Sequence, residues 1–356
     1  MATVTGTQDI SSLLAARFTS AAEYGLDTIV QVLQDDLAAH NSIVADMVSE
    51  LADPTTDRQR IYGTSVSGEM QEVDEYGRGQ TQVDRPGETV GFPLRKYQFA
   101  IGWTEDWFLE KTPADVAIAA LGAQKAHIRG IQKKIKEAIF GSSNYSSRDI
   151  FVDKVSFGIK RLVNADSANI PDGPNGESFD GATHTHYLAR DGGSLVLDDI
   201  LAQINHVSEH GHSSMVKIGI NKADEGTIRA LTGTNGFQAY PDPRVIYRAS
   251  DTPGNTLDIT RMDNVAIGIV GRAEVWVKPW VPAYYTFCWD SGSAGKPLAY
   301  RQKVSSALQG LRIAATLSTH PLVAQYMEAY YGFGVWERTN GAALYFGDTT
   351  YTDPTF

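Results

Sequence analysis

Three observations predict an α+β fold. Helical and strand-like stretches follow one another without regular βαβ alternation. A long, mostly polar hairpin over residues 60–104 runs straight into a long helix with well-formed ends. A stretch over 265–289, rich in Val, Ile, Tyr and Trp, reads as sheet, and the pattern changes again from Ala299.

Residues 1–19, rich in Thr, Ser and Ala, form a flexible arm in this reading. From 20 to 51 the pattern is helical, with Leu26, Ile29, Val30, Leu33 and Leu37 recurring at three and four. A break near Asn41 divides it into two pieces, and Asp53-Pro54 ends it. The outer face is acidic, with Glu23, Asp27, Asp35, Asp36, Asp46 and Glu50. It is either a solvated face or an arm docking on a partner subunit.

The hairpin follows. Its first arm is RIYGTSVSGEMQEVDEYG, its Gly-rich tip GRGQTQVDRPGET and its return arm VGFPLRKYQFAIGWTEDWF. Each arm could reach on the order of 40 Å at about 3.3 Å per residue, and an isolated two-stranded hairpin is marginal in water. Such an arm suits a subunit that lies across its neighbour.

The helix over 113–140 has Thr112 as N-cap, Pro113 at the first position, Asp115 as a capping-box variant and Gly141 after its end. It spans about 40 Å. Val116, Ala119, Ala120, Ala123, Ile131, Ile135 and Ile139 form its apolar stripe. Lys125, Arg129, Lys133 and Lys136 form a basic ridge, either solvated or facing polyanions and acidic neighbours.

Beyond Gly141, DIFVDKVSFGIKRLV is strand-like and 164–194 is a polar loop. A helix fits 195–209, a strand MVKIGIN and a short helix KADEGTIRALTG. AYRQKVSSALQGLRIAATLST reads as strands, PLVAQYMEAYYGFGVWER as a short helix or turn into a strand, and GAALYF as a last strand.

The 356 residues exceed one simple core and suggest two lobes with extensions. A net charge of -11 argues against a sequence-reading DNA-binding protein and against a basic membrane-surface protein. No run of about 18 apolar residues crosses a membrane, and no signal peptide is recognisable. The one cysteine, Cys288, lies in an apolar run and reads as a small buried hydrophobe.

Catalytic motifs are scarce. There is no phosphate-binding glycine loop and no G-x-S-x-G elbow. His206 to His210 reads H-x-x-E-H, the inverted zinc-protease pattern, but three fixed letters at the end of a helix suit a structural or solvent role better. His184 and His186, in THTHY, read as mobile surface histidines rather than a metal pair. The run from Asp172 to Glu177 does not fit EF-hand spacing and reads as an ordinary loop. Trp103, Trp107 and Phe108, and Tyr326, Tyr330, Tyr331, Phe333 and Trp336, read as core packing. No catalytic, cofactor-binding or metal-ligating residue is expected, and no cofactor.

GETVGFPLRKYQFAIGWTEDWFLEKTPADVA leading into QKAHIRGIQKKIKEAIFG resembles the extended E-loop return arm and spine helix of the major capsid protein of tailed bacteriophages, the HK97-like fold. HPLVAQYMEAYYGFGVWERTNGAALYFG is similar to that family's closing stretch. The resemblance implies an N-terminal helical arm over 1–59, an E-loop over 60–104, a peripheral (P) domain over 105–194 carrying the spine helix, an axial (A) domain over 195–290 and a return to the P-domain over 291–356.

It also implies a non-enzymatic subunit that assembles through pentamers and hexamers into an icosahedral shell around double-stranded DNA. Such a protein resides in the virion capsid and assembles in the host bacterial cytoplasm. Its implied partners are itself, scaffolding, portal and decoration proteins, and DNA touched non-specifically, with no membrane. Inter-subunit contacts would fall on Arg78, Arg85, Glu88, Arg95, Lys96, Lys125, Arg129, Lys133 and Lys136. Some members join an E-loop lysine covalently to a neighbour's asparagine. The only hairpin lysine in this chain is Lys96, well down the return arm, so a shell without covalent cross-links is expected. The short arm before the hairpin points to a separate scaffolding protein, or none. The alternatives are an encapsulin-like compartment shell and, more distantly, a zinc hydrolase built on residues 206–210.

Overall fold

A computed structural model of the chain describes residues 10–16, 18–64, 70–81, 85–190, 192, 194–240, 264–320 and 322–356. The start of the N-terminal arm, part of the hairpin tip and residues 241–263 of the expected A-domain lie outside the described residues.

The chain opens with α1 (Ile10–Ala15), α2 (Ala21–Tyr24) and α3 (Leu26–Ser49). Ser20 caps α2 in a capping box with Glu23, the Glu23 amide donating to Ser20 Oγ at 3.2 Å. The break expected at Asn41 is absent and α3 is continuous. Asn41 turns outward instead: its Nδ2 donates to Leu311 O at 2.9 Å and its Oδ1 accepts from Leu311 N at 2.8 Å. Asp53-Pro54 does not end this helix; it lies within β1 (Ala52–Thr55).

β2 (Gln59–Tyr62) and β3 (Glu88–Gly91) pair antiparallel over four residues and form the base of the hairpin. The return arm then leaves its partner. β4 (Arg95–Thr104) enters a different sheet, alternating half-buried and exposed side chains along its length. After α4 (Glu105–Glu110), α5 (Pro113–Phe140) forms the spine. Its N-terminus is capped by Asp115, whose Oδ2 accepts from the amide and the hydroxyl of Thr112, each at 3.0 Å. These bonds hold the Asp115 carboxyl below the usual range. Gly141 follows the helix with φ -74°, not left-handed. Space is what requires glycine there, since a Cβ would lie 2.9 Å from Glu137 O.

The stretch after the spine is not one strand. β5 (Tyr145–Arg148) and β6 (Ser156–Ile159) form a small hairpin around a turn. β7 (Tyr187–Ala189), α6 (Leu197–Ser208), β8 (Val216–Ile220), α7 (Glu225–Arg229), β9 (Gln238–Ala239), β10 (Val265–Val270), β11 (Ala273–Val277) and β12 (Tyr285–Asp290) follow. The chain closes with β13 (Leu298–Gln302), β14 (Arg312–Thr319), β15 (Leu322–Val335) and β16 (Ala342–Tyr345).

Two large sheets organise these elements. One runs β7-β16-β12-β8-β11-β10-β9, with α6 packed on β12 and β16. The other is built on β15, which pairs with β13 and β14 along one edge and with β4 along the other. The short helix or turn expected before the strand in residues 321–338 is therefore corrected, since β15 is strand from Leu322. Gln325, Met327, Ala329, Tyr331 and Phe333 are buried at period two, and partners on both edges take up the backbone hydrogen bonds.

The larger core joins α3, the spine and β15 around Leu33, Ile131, Ile135, Ile139, Phe140 and Tyr331, all nearly inaccessible. Each such aliphatic or aromatic side chain contributes on the order of 2 kcal/mol. The apolar stripe of α3 is thus covered within its own chain. A second core, around Ile204, Val207, Ile218, Val275 and Leu344, lies between α6 and the seven-stranded sheet. Cys288 is fully buried there, and burial pushes its thiol up.

Glu50, just past α3, joins the first lobe to the second. Its carboxylate meets Lys217 at 2.9 Å and Lys278 at 2.5 Å. Burial opposes its ionisation, yet the two lysines outweigh that and hold it below the ordinary carboxylate value.

Candidate functional site

Residues Met70–Thr81 form the exposed tip of the hairpin. Met70 and Tyr76 are 103% and 90% exposed, and Val73 half-exposed. The tip is therefore less purely polar than its composition implies. Its own turn is held by Asp74, whose carboxylate accepts from the Tyr76 amide at 3.0 Å, and by Gln71, whose Oε1 accepts from the Gln80 amide at 2.8 Å. The tip is locally ordered, but among the described residues no core side chain covers Met70 or Tyr76.

The nine residues expected at subunit contacts divide. Arg85 lies 3.5 Å from Asp172, and Glu88 pairs with Lys160 at 2.8 Å, fixing the hairpin base to the loop beside it. Arg95 donates to Ser147 Oγ at 3.1 Å. Lys96 pairs with Glu328 across the β4–β15 ladder and lies over the Tyr330 ring. Lys136 donates to Thr355 O at 2.8 Å. These five make contacts within the chain. Arg78 is exposed on the tip, and Lys125, Arg129 and Lys133 are exposed along one face of the spine, with Ile118 on the same face 60% exposed. Among the described residues, no ion pair joins the acidic face of α3 to this ridge. The two helices meet instead through Asp36 with Gln124 and His40 with His127.

Histidines separated in the sequence meet in the fold. His184 and His186 lie just before β7, His206 in the last turn of α6, and Glu209 and His210 just after it. The Nε2 atoms of His184, His186 and His210 form a triangle with edges of 3.1, 3.1 and 3.2 Å. Glu209 Oε1 lies 3.4 Å from His184 Nε2 and 3.0 Å from His206 Nδ1. Phe179 covers the group, its ring 4.1 Å from that of His210. His186 is fully buried and the His210 side chain 2% exposed. The reading of His184 and His186 as mobile surface residues is corrected: the backbone holds both, His186 N donating to Val163 O and Ala165 N to His184 O. Burial lowers the imidazoles of His184 and His186, the second well below its ordinary value, and that of His210 to about 3. The sequence signals, T-H-T-H and H-x-x-E-H, were both visible, but their meeting requires the fold.

No family model matches the chain, and no curated protein matches it. Among solved structures, a chain of Mycobacterium phage Patience is similar over 99% of this chain and 97% of its own length, with TM-score 0.67 and 21% identity. The chain has the HK97-like fold. The capsid of an empty GTA particle is also similar in shape, at TM-score 0.50 and 13% identity over 85% of this chain and 89% of that one. Among the described residues, the hairpin tip and the basic face of the spine are both exposed.

Proposed function

We propose that the chain is a major capsid protein of a tailed bacteriophage, which assembles through pentamers and hexamers into an icosahedral shell around double-stranded DNA. One observation carries this reading. A four-residue ladder supports a tip whose Met70 and Tyr76 are almost wholly exposed, and exposed apolar side chains on an extended arm mark a protein interface. The likeness in shape to a GTA capsid chain points the same way.

In this reading residues 195–290 form the A-domain, meeting its copies at the symmetry axes. Residues 105–194 and 291–356 form the P-domain, and the hairpin lies over the next subunit. Closed symmetry multiplies modest contacts. The shell is non-covalent, since Lys96 is held in the sheet by Glu328 and the tip over Met70–Thr81 carries no lysine. Scaffolding, portal and decoration proteins and the packaged DNA are its partners, and it assembles in the host cytoplasm. No catalytic role is assigned.

Expression of the full chain and electron microscopy of the product tests this. Closed shells are expected, running as monomers on denaturing electrophoresis and containing nucleic acid when taken from virions. Replacing residues 70–81 by a short Gly-Ser turn should leave a folded subunit that forms no shells. Intact shells from that variant overturn the assigned role of the tip. Shells that enclose only protein indicate a compartment of the encapsulin kind.

A further inference from the structure

We propose that His184, His186 and His210 bind one divalent transition-metal ion, of the zinc class, through their Nε2 atoms, with Glu209 Oε1 as the fourth ligand and His206 beside it in the outer shell. This goes beyond the assembly reading and does not depend on it.

The first argument is geometric. Zinc–imidazole bonds of about 2.0–2.1 Å place tetrahedral ligand atoms about 3.4 Å apart. The three Nε2 atoms stand 3.1–3.2 Å apart, and Glu209 Oε1 stands 3.4 and 3.8 Å from two of them. Donor atoms of His184, His186, His206 and Glu209 all lie within 4.8 Å of one another.

The second argument is hydrogen-bond parity. His186 Nδ1 lies 2.7 Å from Gly341 O, an acceptor only, so Nδ1 carries the proton. In the neutral ring its Nε2 is then a bare lone pair. Each remaining Nε2 is either protonated or bare. Among three mutually contacting nitrogens, two must be alike, and a contact between two donors or two acceptors at about 3.1 Å is repulsive. No assignment of protons to neutral rings satisfies all three contacts. A single cation between three lone pairs does.

The third argument is the pair of atoms left over. Among the described residues, the buried atoms His206 Nδ1 and Glu209 Oε1 lie 3.0 Å apart and find no hydrogen-bond partner. The two atoms stand beside the three converging nitrogens, with Glu209 Oε1 as the fourth ligand and His206 Nδ1 in the outer shell, since His206 groups with His184, His186 and Glu209 but not with His210. The Gly341 carbonyl is the outer-shell acceptor that fixes the tautomer of a ligating histidine. Imidazole with one carboxylate suits zinc, cobalt or nickel and not magnesium or calcium.

The ion would join α6, which lies on the seven-stranded sheet, to the segment before β7 and to Gly341 before β16. It is thus a structural staple inside the subunit and not a catalytic centre.

The test uses the purified full chain, dialysed and analysed for metal. About one zinc per chain is expected, replaceable by Co2+ with the visible absorption of a four- or five-coordinate site. A chelator should lower Tm and Zn2+, but not Ca2+, should restore it. Because His186→Ala or His210→Ala can fail to fold, Glu209→Gln and His206→Ala are the informative variants at the more exposed positions. Each should weaken zinc at least about tenfold while keeping the far-ultraviolet spectrum. Two results overturn the proposal: a folded chain that neither carries nor takes up zinc or cobalt, or variants that bind zinc as tightly as the parent.

Discussion

His40 Nε2 lies 3.0 Å from His127 Nδ1, a buried histidine pair that ties α3 to the spine helix. Burial lowers His40 to about 4, and burial with the neighbouring imidazole lowers His127 to about 3, from the ordinary 6.5. A group with a depressed folded value contributes its stability above the unfolded value and loses it as pH falls toward the folded one. The window therefore runs from about pH 6.5 down to about 4. At about 1.4 kcal/mol per unit the loss is on the order of 3 kcal/mol for His40 alone.

Thermal unfolding followed across that window should show the loss, and the double variant His40→Leu, His127→Leu should flatten part of it. His212, lowered in the same direction by burial, contributes to the remainder. An unchanged pH profile in the double variant counts against the pair as an acid-sensitive joint.

Gly130 sits on the spine where the Tyr331 hydroxyl presses against it. A Cβ there would lie 2.6 Å from Tyr331 Oη but 4.0 Å from its Cζ. Gly130→Ala should destabilise by about 1–3 kcal/mol through overpacking, although alanine is the better helix former by about 1 kcal/mol. Adding Tyr331→Phe removes the clashing atom and should restore Tm. Failure of that rescue would place the cause elsewhere.

Glu50→Gln removes the carboxylate charge that meets Lys278, whose side chain is 3% exposed. Removing one partner of a buried pair costs about 3–5 kcal/mol. Lys217 and the half-buried setting of Glu50 place this case at the lower end. Urea denaturation should show a midpoint shift of that size. Glu50→Asp, too short to reach both lysines, should show an intermediate one.

The exposed ridge gives the opposite expectation. Arg129→Glu with Lys133→Glu alters side chains that pack on nothing in the core, so subunit stability should change by less than about 0.5 kcal/mol. Shell yield, measured by sedimentation, should fall sharply if these charges face a neighbour. Normal shells would leave the ridge a solvated face.

Local signals were legible wherever they acted alone. Thr112, Pro113 and Asp115 announced the start of the spine, and the apolar stripe through Ile131, Ile135 and Ile139 announced its buried face. Alternation in β4 marked Tyr97, Phe99 and Ile101 as its inward side. Gln325, Met327, Glu328 and Ala329 carry no strand preference, so the first half of β15 was hidden. It exists because β4 on one edge and β13 with β14 on the other supply its hydrogen bonds. Asn41 looked like a helix break because its side chain competes for backbone partners. In the fold, Leu311 satisfies that side chain from 270 residues away and the helix runs on.

The sequence by itself determined the capped spine, the amphipathic N-terminal helix and a hairpin too long to stabilise itself, because these rest on periodicity and turn chemistry within a few residues. Only the tertiary structure decided that the hairpin's return arm leaves its own first arm after a short ladder and pairs with β15, and that five of nine expected contact residues are occupied within the chain. It alone brought His184 and His186 to His206, Glu209 and His210. Those outcomes depend on pairings across tens to hundreds of residues, which hydrophobic burial and backbone hydrogen bonding settle together and no local pattern encodes.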